Sequence, residues 1–172
     1  WKDSRRTWPE RYMITYPNVK LNLGLRVLGK RPDGYHDIET LFVPYFGFHD
    51  ILEINRSAVF SFRGNDVSWD NDLTIQAYEL LKADFDLPPV QIILTKQIPV
   101  GAGLGGGSSD AAFAIKMLDE MFDLGLGDTR LASYAARLGS DCAFFIYNRP
   151  MTGRGRGEVL SPFDIDLSAF RI

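Results

Sequence analysis

Pro99-Val100-Gly101-Ala102-Gly103-Leu104-Gly105-Gly106-Gly107-Ser108-Ser109-Asp110 is the stretch on which the reading of this chain turns. Five of the seven residues from 101 to 107 are glycine, and two serines follow. Before it, Val90 to Lys96 reads as a strand behind the Pro88-Pro89 stop. After it, Ala111, Ala114, Ile115, Leu118, Met121 and Phe122 recur at helical spacing. A strand, a glycine loop and an amphipathic helix in this order suit an anion. Glycine lets backbone N–H groups converge with no Cβ in the way. The first turn of the helix adds unpaired N–H groups and a positive dipole end. Ser108 and Ser109 can add hydroxyl donors or a metal contact. A flexible linker is not normally wedged between two such well-patterned elements.

Two phosphate motifs compete for this stretch. The P-loop needs Lys-[Ser/Thr] after its last glycine, where this chain has Ser108-Ser109. Gly101, Gly103 and Gly106 satisfy G-x-G-x-x-G literally, but a dinucleotide fold needs a parallel strand after the helix. The pattern beyond Met121 is a second helix, which Asp128 can cap, with Leu131, Ala135 and Leu138 on its stripe.

Upstream, Val19, Leu21, Leu23, Leu25 and Val27 alternate with Lys20, Asn22, Gly24 and Arg26, which predicts a half-buried strand with a polar face. Arg31-Pro32-Asp33-Gly34 is a turn. Strands follow at Ile38 to Phe46, Asp50 to Asn55 and Val59 to Phe62, the last ending in an Arg63-Gly64-Asn65-Asp66 turn. Asp70 or Asn71 caps a helix with Leu73, Ala77, Leu80 and Leu81 on one stripe. Downstream, Gly139-Ser140-Asp141 leads into an apolar strand from Cys142 to Tyr147, and residues 153–157 read as a mobile basic loop. The expected fold is α+β, a mixed or antiparallel sheet with helices on one face.

Composition narrows the function. At 172 residues with 45% hydrophobic and 24% charged positions, the chain can build one packed globular domain. A net charge of −3 argues against a general nucleic-acid binder. The single cysteine, Cys142, rules out an internal disulfide and a multi-cysteine zinc site, and its apolar neighbours mark it as a buried filler. No apolar run approaches the roughly 20 residues of a membrane span, so a cytoplasmic protein is expected. Residues 1–12 are polar and aromatic without periodicity. They read as an expression remnant or an overlong gene reading, with Met13 as the natural start. The end at Phe170-Arg171-Ile172, without turn or cap, reads as a truncation. The sequence sets no oligomeric state.

Several segments together resemble one family. The glycine stretch from Pro99 to Ser109 resembles the phosphate-binding motif of the GHMP kinases, a superfamily of small-molecule kinases. Lys20-Leu21-Asn22-Leu23 resembles its opening strand. Leu138-Gly139-Ser140-Asp141-Cys142-Ala143 resembles its catalytic segment, with Ser140, Cys142 and Ala143 where Ala, Val and Pro are usual. Arg31-Pro32-Asp33-Gly34-Tyr35-His36 is similar to the cytidine-binding segment of the subgroup that phosphorylates 4-diphosphocytidyl-2-C-methyl-D-erythritol. The resemblance spans about Met13 to Pro162.

The resemblance implies an N-terminal ATP-binding domain of the ribosomal protein S5 domain 2-like fold over residues 13–172, with the family's C-terminal domain absent from the chain. It implies ATP and Mg²⁺ as cofactors. The substrate would be the cytidine diphosphate-linked methylerythritol of non-mevalonate isoprenoid biosynthesis. Asp141 would be the general base and Lys20 its charged partner. Pro99, Val100, Gly101, Ala102, Gly103, Leu104, Gly105, Gly106, Gly107, Ser108 and Ser109 would hold the triphosphate. Asn22, Tyr35 and His36 would hold the substrate, with an aromatic ring stacking on cytosine. Asp110 and Glu158 would either help hold Mg²⁺ or serve only locally. Another GHMP kinase of mevalonate or homoserine type, or a non-catalytic nucleotide-binding module, is the alternative.

Overall fold

The computed structural model of the chain describes residues 12–65 and 72–170. The expected caps Asp70 and Asn71, the end of the turn at Asp66, residues 1–11 and the final Arg171-Ile172 lie outside the described residues. Among the described residues, twelve elements follow one another. They are β1 (Tyr12–Thr15), β2 (Asn18–Lys30), β3 (His36–His49), β4 (Ile51–Arg56), β5 (Ser61–Gly64), α1 (Leu73–Phe85), β6 (Val90–Thr95), α2 (Gly106–Met121), α3 (Gly127–Leu138), α4 (Cys142–Tyr147), β7 (Met151–Gly155) and β8 (Val159–Pro162).

The strands form two four-stranded sheets. One has the order β1-β4-β6-β5, with β5 parallel to β6 and the other pairs antiparallel. The other, β2-β3-β7-β8, is antiparallel throughout. The fold is α+β, as the pattern predicts, but the strands are divided between two sheets.

The first sheet turns Leu52, Ile54, Ile92 and Leu94 toward Tyr78 and Leu81 of α1 and Ile115 and Leu118 of α2, and all eight are essentially inaccessible to water. The second sheet joins the same core through Phe42, whose ring lies 5.5 Å from that of Phe144 on α4. Asp72 caps α1, its Oδ1 accepting the Thr74 N–H at 2.8 Å. Asp128 does not cap α3. It is already inside the first turn, where its charge suits the dipole. Asp119 on α2 instead accepts the Leu126 N–H at 3.0 Å and fixes the approach to α3.

Three expectations need correction. Cys142 to Tyr147 is a helix, not a strand. All residues from Cys142 to Ile146 are buried, and a run buried on every side carries no periodicity to separate the two states. Asn148 ends this helix in the left-handed conformation.

The basic glycine segment 153–157 is not a loose loop, since it runs along β7 and turns into β8. Gly153 is demanded by packing, because a Cβ there would come within 2.2 Å of the Phe42 ring.

Lastly, β2 shows no in-and-out alternation of burial. Asn18, Val19 and Lys20 are all buried, whereas Leu23, Leu25, Val27 and Leu28 are exposed. Beyond Asn22, β2 is the exposed edge strand of its sheet, and the β2–β3 ribbon extends past β7 only at its tip, with register shifts between Leu23 and Arg26 and between Val27 and Gly29.

Candidate active site

The glycine stretch lines a pocket of about 640 Å³. Its walls carry Pro99 to Ser108 without a break, together with Asp72, Leu73, Lys96, Asp110 and Asp141. Gly101, Gly103 and Gly105 all have φ between +73° and +78°, which an L side chain rarely adopts. Gly105 is also crowded, since a Cβ there would meet the Phe145 ring at 3.0 Å and Lys20 Cε at 3.3 Å. The loop then opens α2 at Gly106, so the first N–H groups of a sixteen-residue helix face this space. Ser108 lies on the pocket wall. Ser109 points inward, and its buried Oγ has no hydrogen-bond partner among the described residues.

Lys20 is placed by backbone as well as side chain. Its N–H donates to the Leu104 carbonyl at 3.0 Å, which ties β2 to the glycine loop. Its ammonium lies 3.2 Å from Asp141 Oδ2, donates to Asn22 Oδ1 at 3.0 Å and sits 4.4 Å from the centre of the Phe42 ring. Lys20 is 4% exposed and Asp141 29%, so the carboxylate, not the ammonium, faces the open pocket. Asp141 stands at the start of α4, between two helices rather than between a helix and a strand. The structure thus brings Asp141, Lys20, Asn22 and the glycine loop to one place.

Tyr35 and His36 lie elsewhere, at the far tip of the β2–β3 ribbon. Their turn is tight: Arg31 N–H donates to the Tyr35 carbonyl at 2.8 Å, and Asp33 Oδ1 accepts the Tyr35 N–H at 3.1 Å. Tyr35 is 57% exposed. His36 is likewise exposed. Cys142 is buried, as expected, and burial pushes its thiol up to about 11. Glu158 folds back on its own turn, where Oε2 accepts the Arg156 N–H at 2.5 Å.

One cluster beside the loop escaped the sequence reading. Lys96 Nζ is paired with Asp110 Oδ2 at 2.7 Å and, more closely still, with Asp50 Oδ2. Asp50 Oδ1 accepts the N–H groups of Gln97, at 2.5 Å, and Ile98, at 2.8 Å. All three charged side chains are buried. Burial opposes the Lys96 charge, but Asp110 and Asp50 reverse this and hold its pKa above the ordinary lysine value. Burial raises Asp110 to about 8 against the pull of Lys96, helped by Asp50 and Asp72. Only the Asp110 position, one residue past the serines, hinted at this in the sequence. The other two members come from the end of β6 and the β3–β4 junction.

No group of three or more His, Cys, Asp or Glu among the described residues could hold an ion. An ion bound mainly by phosphate oxygens and water fits such a site, with the Ser108 hydroxyl within its reach on the wall.

The site is thus a glycine loop feeding a buried helix, with a Lys–Asp pair from β2 and α4 at its edge, on a two-sheet α+β frame. Residues 72–149 of the chain match the GHMP kinases N terminal domain. The chain is 49% identical over 168 residues to a 4-diphosphocytidyl-2-C-methyl-D-erythritol kinase of Bacteroides fragilis. The match takes in 93% of this chain and 61% of that protein, so the chain spans about three-fifths of the relative's length. A crystal structure of 4-(cytidine 5'-diphospho)-2C-methyl-D-erythritol kinase superposes with a TM-score of 0.78 at 35% identity, over 90% of this chain and 56% of that one. The Methanococcus jannaschii mevalonate kinase, at 15% identity and a TM-score of 0.70 over 93% of this chain and 58% of its own, shares the fold alone.

Proposed function

We propose that this domain is the ATP-binding half of a kinase that phosphorylates the 2-hydroxyl of 4-diphosphocytidyl-2-C-methyl-D-erythritol, a cytoplasmic step of non-mevalonate isoprenoid precursor synthesis. The observation that carries the reading is the 3.2 Å Lys20–Asp141 pair at the edge of the glycine pocket. Phosphoryl transfer asks the protein mainly to position reactants and offset charge. The backbone N–H groups of the loop and of the first turn of α2 would hold the triphosphate. Asp141, the member of the pair that faces the pocket, would take the proton of the attacking hydroxyl. That hydroxyl forms the new P–O bond as the bond to the β-phosphate oxygen breaks. Lys20 would offset the charge that grows on the transferred group and hold the Asp141 carboxylate aimed. Magnesium, carried with the nucleotide, would add neutralising charge at the phosphates. Tyr35 and His36 would hold the cytosine. The names of the 49% and 35% identical relatives support this choice of acceptor.

The test is Asp141→Asn in the full-length protein, with ADP release followed against a panel of cytidine, mevalonate and homoserine acceptors. General-base assistance is typically worth about 10²–10⁴-fold. The expected result is a fall in kcat of that size for the cytidine-linked acceptor alone, with KM little changed. Turnover of mevalonate or homoserine by the wild type, or an unaltered kcat in the variant, overturns the reading.

A further inference from the structure

The turn between β7 and β8 is outside the glycine pocket, yet it lies between that pocket and the tip of the ribbon. The Arg156 guanidinium carbon sits 4.9 Å from the centre of the Tyr35 ring. The next residue reaches the other end of the site: a Cβ at Gly157 would come within 3.5 Å of Asp141 Oδ1 and 3.2 Å of Phe42. Consecutive Cα atoms are about 3.8 Å apart. One short turn therefore touches both the expected base platform and the expected general base.

This turn is held in shape. Glu158 Oε2 accepts the Arg156 N–H at 2.5 Å, and the Gly157 N–H donates to the Arg154 carbonyl at 3.0 Å. Gly157 has φ of +109°, which keeps it flat against Phe42 and Asp141. The side chain of Arg156, in contrast, is exposed, and it is in no ion pair among the described residues. Its neighbours in charge are already engaged. Arg154 is paired with Glu39 at 2.9 Å, and Arg31 with Asp37 at 2.7 Å. Asp33 feels the charge of Arg156, but its carboxylate is taken by Arg31 at 3.2 Å and by the Tyr35 N–H. Arg156 is thus a guanidinium without a carboxylate partner, midway along the acceptor site.

We propose that Arg156 binds the diphosphate of a cytidine diphosphate substrate, between a base on Tyr35 and a hydroxyl at Asp141. This rests on the function proposed above and assigns it a further substrate-binding residue. A molecule with a base at one end and a polyol at the other must carry its diphosphate past this turn. A guanidinium matches phosphate oxygens with two parallel N–H donors, which an ammonium cannot do. Without substrate the group rests on the Tyr35 ring, and an exposed cation–π contact of that kind is weak enough to give way to a phosphate.

The experiment measures CDP and cytidine binding by calorimetry, and KM for ATP, in full-length wild type, Arg156→Ala and Arg156→Lys. Hydrogen bonds to a charged group are worth enough to predict a loss of about 10–100-fold in CDP affinity for Arg156→Ala. Cytidine affinity should stay within about twofold and KM for ATP should not move. Arg156→Lys should restore only part of the loss. An equal loss for CDP and cytidine would mean that Arg156 only props Tyr35, and no loss for either would mean that it is solvated surface; both outcomes overturn the proposal. A wild type that binds neither CDP nor cytidine overturns the function proposed above, and this assignment with it.

Discussion

The two ends of the candidate site are built on opposite principles, although strand β2 runs through both. At the glycine-loop end its residues Asn18, Val19 and Lys20 are buried, and the neighbouring charges of Lys96, Asp50 and Asp110 are sealed together. At the ribbon end Leu25, Val27, Leu28 and Tyr35 are all more than half exposed. Under the proposed function, the first end would bind with backbone N–H groups whose directions are set by glycine conformations and a helix start. On the same reading, the second would bind with exposed side chains at the β2–β3 hairpin, where β2 is the edge strand of its sheet. A phosphate site made of backbone can be complete in this domain. A base site made of exposed aromatic and basic side chains gains its walls only from further contacts.

Glycine substitutions separate the roles within the first end. A Cβ at Gly103 meets nothing within 4 Å, but φ there is +76°. Gly103→Val should leave the fold intact and strain the loop by up to about 3 kcal/mol, weakening ATP by about a hundredfold. Gly106 is different. A Cβ there would lie 2.9 Å from Ile98 and 3.2 Å from Lys96 Nζ, so Gly106→Val should lower stability itself, by about 1–3 kcal/mol. Parallel thermal melts and titrations with a non-hydrolysable ATP analogue check this. Identical behaviour of the two variants would erase the distinction between conformational and packing glycines.

Tyr35→Ala probes the second end. Loss of a stacking platform should weaken the cytidine substrate of the full-length protein by about tenfold, with ATP affinity and melting temperature nearly unchanged. A large drop in stability would instead make Tyr35 part of the framework, and the contrast between a buried and an exposed end would fail.

The same contrast explains what could be read in advance. The glycine loop, α2 and the tight turn at Arg31 to Tyr35 were legible, because glycine spacing and Pro-Asp-Gly chemistry are local signals. Lys20 and Asn22 do lie on one face of β2, where they share a hydrogen bond and Lys20 meets Asp141. The alternation predicted burial for Leu23, Leu25 and Val27, which lie exposed on the edge strand of the second sheet. Periodicity reports which residues share a face, and only the rest of the fold decides whether anything covers it. α4 was missed because uniform burial hides its period. The Lys96–Asp50–Asp110 cluster was missed because its members are up to 60 residues apart in sequence, and only the pairing of β4 with β6 brings Asp50 to Lys96.

That cluster yields the sharpest test of burial at the glycine-loop end. Two carboxylates share one ammonium, and Asp110 Oδ1 has no hydrogen-bond partner among the described residues. Burial raises Asp110 from 3.8 to about 8, so the folded protein holds a proton there that the unfolded chain releases at much lower pH. Below about pH 4 both states are protonated and the group contributes nothing. Between about pH 4 and pH 8 folding takes up a proton, so stability must fall as pH rises; above about pH 8 both states are ionised and the penalty is constant. Asp110→Asn keeps the shape of the neutral acid and cannot titrate. Urea midpoints measured from pH 5 to pH 8.5 should therefore decline more steeply in the wild type than in the variant, and the gap should close toward the acid side. If the two slopes are the same, Asp110 ionises as freely as a surface aspartate, and the glycine-loop end is wetter than its geometry implies.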